Sequence, residues 1–131
     1  MAAPESYPDD LKYHRDHDWA RVDGDDAVLG ITWFAQDSLG ELVHFEAPET
    51  GATIGKDSAY GEVESVKAVS DVIAPLSGGI LEVNQGVVDA PETVNEDPYG
   101  DGWLIRIRMS DPSELDALMD AAAYRAHVAE Q

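Results

Sequence analysis

The chain has 131 residues, 44% of them hydrophobic, and no cysteine; this suits one domain with a sizeable core and excludes general disorder, a disulfide scaffold, thiolate metal sites and cysteine nucleophiles. Its 27 acidic residues against 8 Lys and Arg leave a net charge of −19, which repels nucleic acid and anionic membranes. The acids are spread along the chain, so they read as a solvated surface adapted to high salt, where a Debye length of about 3 Å at 1 M screens self-repulsion. No run of about 18 apolar residues occurs, and the opening MAAPESYPDD lacks the basic and apolar segments of a secretory signal. The expectation is a soluble, cytoplasmic protein.

Residues 1–10 carry two prolines and three acids and read as a flexible lead-in, with a single domain over 11–131. VDGDD after Arg21 is a turn around Gly24. A short helix is expected over 33–39, ended by Gly40. ELVHFEA alternates, with Val43, Phe45 and Ala47 on one face and Leu42, His44 and Glu46 on the other, as on a half-buried strand. SAYGEVESV alternates likewise, setting Ala59, Gly61, Val63 and Ser65 against Tyr60, Glu62 and Glu64. Pro75, Ser77, Gly78 and Gly79 punctuate the chain before ILEVN. WLIRIRM is the clearest strand, with Trp103, Ile105, Ile107 and Met109 on one face and Arg106 and Arg108 on the other.

Only the end is strongly helical. Asp111 is an N-cap candidate followed by Pro112 and Glu114, and Leu115, Leu118, Met119 and Ala122 form a stripe, which predicts a helix over about 112–128. Many short strands with Gly/Pro turns and one terminal helix indicate a mainly β protein, a small sandwich or flattened barrel with the helix packed on it. A faint repeat offset by 27 residues relates Ala47-Pro48 and Gly51 to Ala74-Pro75 and Gly78.

Between these copies lies ESVKAVSD. The chain holds only three lysines (Lys12, Lys56 and Lys67), and Lys67 is framed here by small and β-branched residues. A lysine at a tight turn between strands projects into solvent. Lysine is a poor Schiff-base catalyst without burial or a cationic neighbour, but a protruding one is a good handle for another enzyme to modify. His14 and His17 find no further His or Cys nearby to complete a metal set and read as exposed or partly packed, and EDPYGDG reads as a turn rather than a calcium loop. Trp19, Trp33 and Trp103 read as core or interface aromatics, and no catalytic triad can be assembled.

The Lys67 segment resembles the lipoylation motif of the glycine cleavage system H proteins, relatives of the biotinyl/lipoyl domains. Glu64 to Ala68, Ser70-Asp71, Pro75, Ser77-Gly78 and Glu82-Val83-Asn84 carry that motif. Tyr13, His17, Trp19 and Arg21 fit the family's opening pattern; Ile31-Thr32, Ala35-Gln36 and Leu39-Gly40 fit the next. Val94-Asn95, Pro98-Tyr99, Gly102-Trp103 and Ala123-Tyr124 extend the resemblance over about residues 11 to 125.

The resemblance implies a lipoyl-domain (barrel-sandwich hybrid) fold and a carrier that catalyses nothing itself. Lys67 would bear lipoate in amide linkage and so lose its charge. The arm would serve a pyridoxal-phosphate glycine decarboxylase, a tetrahydrofolate-dependent aminomethyltransferase and a flavin dihydrolipoamide dehydrogenase. Tethering raises its effective concentration at each. Glu64, three residues before the lysine, and Gly78, eleven after it, would guide the lipoate-attaching enzyme. For Glu64 the plain alternative is a solvated strand acid, and for Gly78 a turn glycine with permissive backbone angles.

Polar groups near the start of the family's sequences help shelter the loaded arm. Here Asp18 stands where many members have Glu, and Phe34, which cannot bind an amine, where some have His. A biotin carrier on the same fold usually flanks its lysine with methionines, whereas Val66 and Ala68 stand here. An H-like protein used for lipoate relay or as a scaffold is the further alternative. A monomer is expected.

Overall fold

The computed structural model describes residues 3–131. Among these, strands β1 (Lys12–Tyr13), β2 (Asp18–Asp23), β3 (Asp26–Ile31), β5 (Thr53–Ile54), β8 (Gly78–Val83) and β9 (Ile105–Met109) form one antiparallel sheet in the order β1-β2-β3-β9-β8-β5. A second sheet, β4-β6-β7, is built from β4 (Leu42–Glu46), β6 (Ala59–Ser65) and β7 (Val69–Ile73). The core cluster joins Leu29, Ile80, Ile105 and Ile107 of the first sheet to Leu42, Phe45, Val63 and Val72 of the second, as in a sandwich. No helix among the described residues is long and apolar enough to cross a membrane.

Helix α1 (Trp33–Leu39) occupies the expected span. The Thr32 side chain accepts a hydrogen bond from the Ala35 N–H, and Gly40 ends the helix at φ 85°. In β9, Ile105, Ile107 and Met109 face the core while the arginines face outward, where Arg106 and Arg108 share Asp26.

Two alternations expected from the sequence are interrupted by bulges. In β4 the register shifts between Leu42 and His44, so Leu42 and Phe45 both enter the core and Val43 and His44 both turn outward. In β6 a shift between Ala59 and Gly61 puts Tyr60 on the buried side with Val63. A further shift in β8 exposes Leu81, and that strand begins at Gly78, a residue expected to punctuate before it.

The terminal helix is also revised. Pro112–Ala117 is a 3₁₀ helix, Leu118 is extended, and an α-helix, α4, runs only over Ala121–Ala129 with Asp120 as its cap. Asp111 caps the 3₁₀ turn as expected, but the Glu114 carboxylate accepts from the Ser77 backbone N–H and hydroxyl, both at 2.8 Å, instead of closing a capping box. Met119 pairs with Tyr13 by two backbone hydrogen bonds of 2.8 Å, which fixes the break. Two short helices not expected from the sequence, α2 (Gln85–Asp89) and α3 (Thr93–Glu96), bury Val87 and Val94.

Residues 3–10 lack regular structure, yet contacts hold them. The Trp33 indole N–H donates to the Ala3 carbonyl at 2.7 Å, the Tyr13 hydroxyl donates to Pro8, and Tyr7 is buried against Tyr124. Met1 and Ala2 of the expected flexible lead-in lie outside the described residues. Tyr124 of α4 stacks on Tyr13 at 4.6 Å, seating the helix on a second apolar cluster with Leu11 and Trp19.

Candidate functional site

Lys67 stands exposed at the tip of the β6–β7 hairpin. The turn is built by Ser65, whose backbone N–H donates to the Ala68 carbonyl at 2.7 Å and whose buried hydroxyl oxygen accepts from the N–H groups of Lys67 (3.2 Å) and Ala68 (3.1 Å). A serine hydroxyl that satisfies two backbone donors in this way fixes a turn without needing glycine. The neighbouring Val66 N–H donates to the Glu41 carbonyl at 3.1 Å, tying the tip to the α1–β4 connection.

That connection is itself braced by Asn95 of α3. Its amide donates to the Gln36 side-chain oxygen (3.0 Å) and the Gly40 carbonyl (2.9 Å), and its oxygen accepts from the Leu42 N–H at 2.9 Å. The Lys67 stem passes beside Gly40, where a Cβ would meet its Cε at 3.5 Å. Ser65 and Asn95 therefore hold the lysine's base, Ser65 directly and Asn95 through residues 40–42. From sequence both stand only as parts of the matched pattern: the partners of Asn95 meet it only on folding, while those of Ser65 lie two and three residues away within the motif itself.

Glu64 lies beside the tip, exposed on β6 between His44 of β4 and Val69 of β7 in the strand register. Gly78 does not join it. It is buried in the other sheet, separated from the tip by the length of β7. Its backbone does not adopt the left-handed conformation that a permissive turn would need; that expectation is replaced by a steric one. A Cβ at this position would overlap the Arg108 carbonyl oxygen and approach its carbon to 3.0 Å, so glycine is required by the close pass of β8 on β9.

The opening-motif residues form a separate cluster. His14 is buried, contrary to the exposed or partly packed setting expected: its Nδ1 accepts from the Asp16 N–H, so its Nε2–H donates to Asp57 at 2.6 Å. His17 adopts φ 76°, lies against Phe34 with ring centroids 4.7 Å apart, and meets the Tyr124 hydroxyl at 2.7 Å. Phe34 thus packs on a histidine.

Asp18 is only 2% exposed. Burial pushes its carboxyl well above the usual range, opposed by a hydrogen bond from the Ile73 backbone and aided by Asp16. Among the described residues, neither Asp18 Oδ2 nor the buried Tyr60 hydroxyl finds a hydrogen-bond partner. A folded-state pKa raised above the unfolded one gives stability that is full below the unfolded value and lost as pH rises through the folded one. Asp18→Asn removes this loss, so the variant should be more stable than the parent at pH 8, by about 1–3 kcal/mol, and the difference should shrink towards pH 3. Urea melts at the two pH values measure it; an equal difference at both would refute the raised pKa.

The glycine cleavage H-protein family model matches residues 11–131. A glycine cleavage system H protein from Anaeromyxobacter sp. (strain K) is 56% identical over 124 residues, covering 95% of this chain and 97% of the relative. That of Halorhodospira halophila is 54% identical over 125 residues, covering 95% and 96%. The crystal structure of a glycine cleavage system H protein from Mycobacterium marinum superposes with a TM-score of 0.84 at 42% identity, over 91% of this chain and 96% of that one. The chain therefore belongs to the glycine cleavage H-protein family.

Proposed function

We propose that Lys67 is the lipoate attachment point of this carrier and that the β6–β7 tip is the end it presents to other enzymes. The family's proteins hold lipoate covalently on a lysine and serve the glycine cleavage system without catalysing a step, and this chain is such a carrier. The observation favouring Lys67 is its exposure on a turn whose backbone is fixed by Ser65. The other lysines suit the role less: Lys12 sits on a strand, and Lys56 pairs with Asp57 at 3.1 Å.

Lipoate, when attached, supplies the dithiolane that takes up the aminomethyl group left by glycine decarboxylation. The chain's own contribution is mechanical and electrostatic. Ser65 and Asn95 hold the base in place, Gly40 lies beside the stem, and acylation neutralises Lys67 so that Glu41 and Glu64 dominate the tip. The partners on this reading are the pyridoxal-phosphate decarboxylase, the tetrahydrofolate-dependent aminomethyltransferase, the flavin dihydrolipoamide dehydrogenase and the lipoate-attaching enzyme. Glu64 guides the last of these. Gly78 lets β8 and β9 pack, and any part it takes in guiding that enzyme is exerted from the other sheet.

A peptide map over residues 57–84 of protein taken from cells that lipoylate other proteins tests this. One lipoyl increment on Lys67 is expected. A bare lysine or a biotin increment would overturn it.

A further inference from the structure

We infer that the outward face of the β4-β6-β7 sheet is the docking surface for the enzyme that acylates Lys67, read through an apolar collar of Val43, Val66 and Val69 and an acidic row of Glu46, Glu62 and Asp71. The inference rests on Lys67 being the attachment point.

Register places these groups. His44 lies opposite Glu64 and Glu64 opposite Val69, making one outward row beside the tip. The next outward row pairs Glu46 with Glu62 and Glu62 with Asp71, so three exposed acids stand directly across from one another. Like charges directly opposite on a sheet destabilise it, and this row is therefore retained against a folding cost. The β4 bulge adds Val43, 49% exposed, to Val66 at 68% and Val69 at 61%. Of the five large hydrophobic side chains exposed among the described residues, three gather here, and the other two, Val22 and Leu81, lie on the other sheet. Single exposed valines are ordinary, but a cluster beside a modifiable lysine marks a contact surface.

Charge and reach together select the occupant. A surface with this acidic row, on a chain of net charge −19, suits a partner whose apolar lip is backed by Lys or Arg. An enzyme acting at the far end of the lipoyl arm can stand off from the protein. One that acts on the ε-amine has only lysine's four-methylene stem to work with and must bring its surface down onto the collar. In that step a lipoyl adenylate loses AMP as its carboxyl carbon forms an amide with Lys67 Nζ, and a proton leaves the nitrogen.

The test follows loading of bare protein by a lipoate-attaching enzyme, lipoate and ATP, read as kcat/KM from intact mass. Val43→Thr with Val69→Thr keeps β-branched shape and should lower kcat/KM about tenfold at low and molar salt alike. Glu62→Gln with Asp71→Asn should lower it at low salt only, while the melting temperature holds or rises. Val22→Thr should load as the parent does. Parental kcat/KM in both double variants, or a loss confined to later steps with the decarboxylase, overturns the docking assignment. Lys67→Arg separates the two readings: if it still takes up lipoate the attachment point is wrong, and if it does not while both double variants load normally, the docking surface is wrong and the attachment point stands.

Discussion

Lys67→Arg should melt with the parent protein and take up no lipoate. The fold does not use the lysine side chain: the turn is closed by the Ser65 hydroxyl and the Ser65–Ala68 backbone pair, and Val66 is anchored by its own N–H. A substitution at such an exposed position stays within about 0.5 kcal/mol. Charge is conserved, so docking before acylation is undisturbed. The guanidinium, always protonated, offers no amine to acylate. Intact mass after incubation with a lipoate-attaching enzyme reads the loss, and a thermal melt reads the unchanged fold. Glycine–bicarbonate exchange reconstituted with the variant should fall to background. Exchange at the parental rate would mean that the functional group is carried elsewhere.

Gly78→Ala should be the most damaging single-methyl change in the chain. The added Cβ collides with the backbone of Arg108 and comes within 3.1 Å of the Ile107 side chain. Backbone cannot yield as a flexible side chain does, so β8 must move off β9 and disturb a ladder that runs from Gly78–Met109 to Val83–Ile105. Overpacking of this kind costs about 3 kcal/mol, which urea denaturation would measure. The variant also separates two roles for this glycine. Lipoylated at low temperature, where it remains folded, it should load nearly as the parent does, because the methyl is buried far from the tip. A large fall in loading with unchanged stability would restore Gly78 as a contact for the attaching enzyme.

What could be seen in the sequence was what neighbours along the chain decide. Helix α1 shows itself through the Gly40 that ends it, and β9 through its alternation, because each signal lies in or beside the element it describes. The bulges at Val43 and Tyr60 depend on cross-strand partners and were hidden for that reason. So was the break before α4, where Ser77 claims the Glu114 carboxylate and Tyr13 claims Met119. The repeated spacing around Gly51 and Gly78 covers two different physical needs. Gly51 takes φ 92° in open space, while Gly78 yields its side chain to a passing strand. In the candidate site, Lys67 and Glu64 were legible as one short motif. The supports from Asn95 and Glu41 were not, since each reaches the hairpin only across the fold.

The stiffness of the Lys67 turn bears on how fast a carrier of this kind can work. If Lys67 bears the arm, as proposed, the hydrogen bonds from the Lys67 and Ala68 N–H groups to Ser65 and from the Val66 N–H to Glu41 restrain the loop, and the sweep of the arm comes chiefly from side-chain torsions. A client enzyme must come within a single arm's length, collect its cargo and let go before the next can approach. Residence time then becomes the quantity under selection, and a tightly held complex would stall the cycle. Fast, charge-steered encounters with equally fast departures suit such a rigid crane better than strong affinity for any one client.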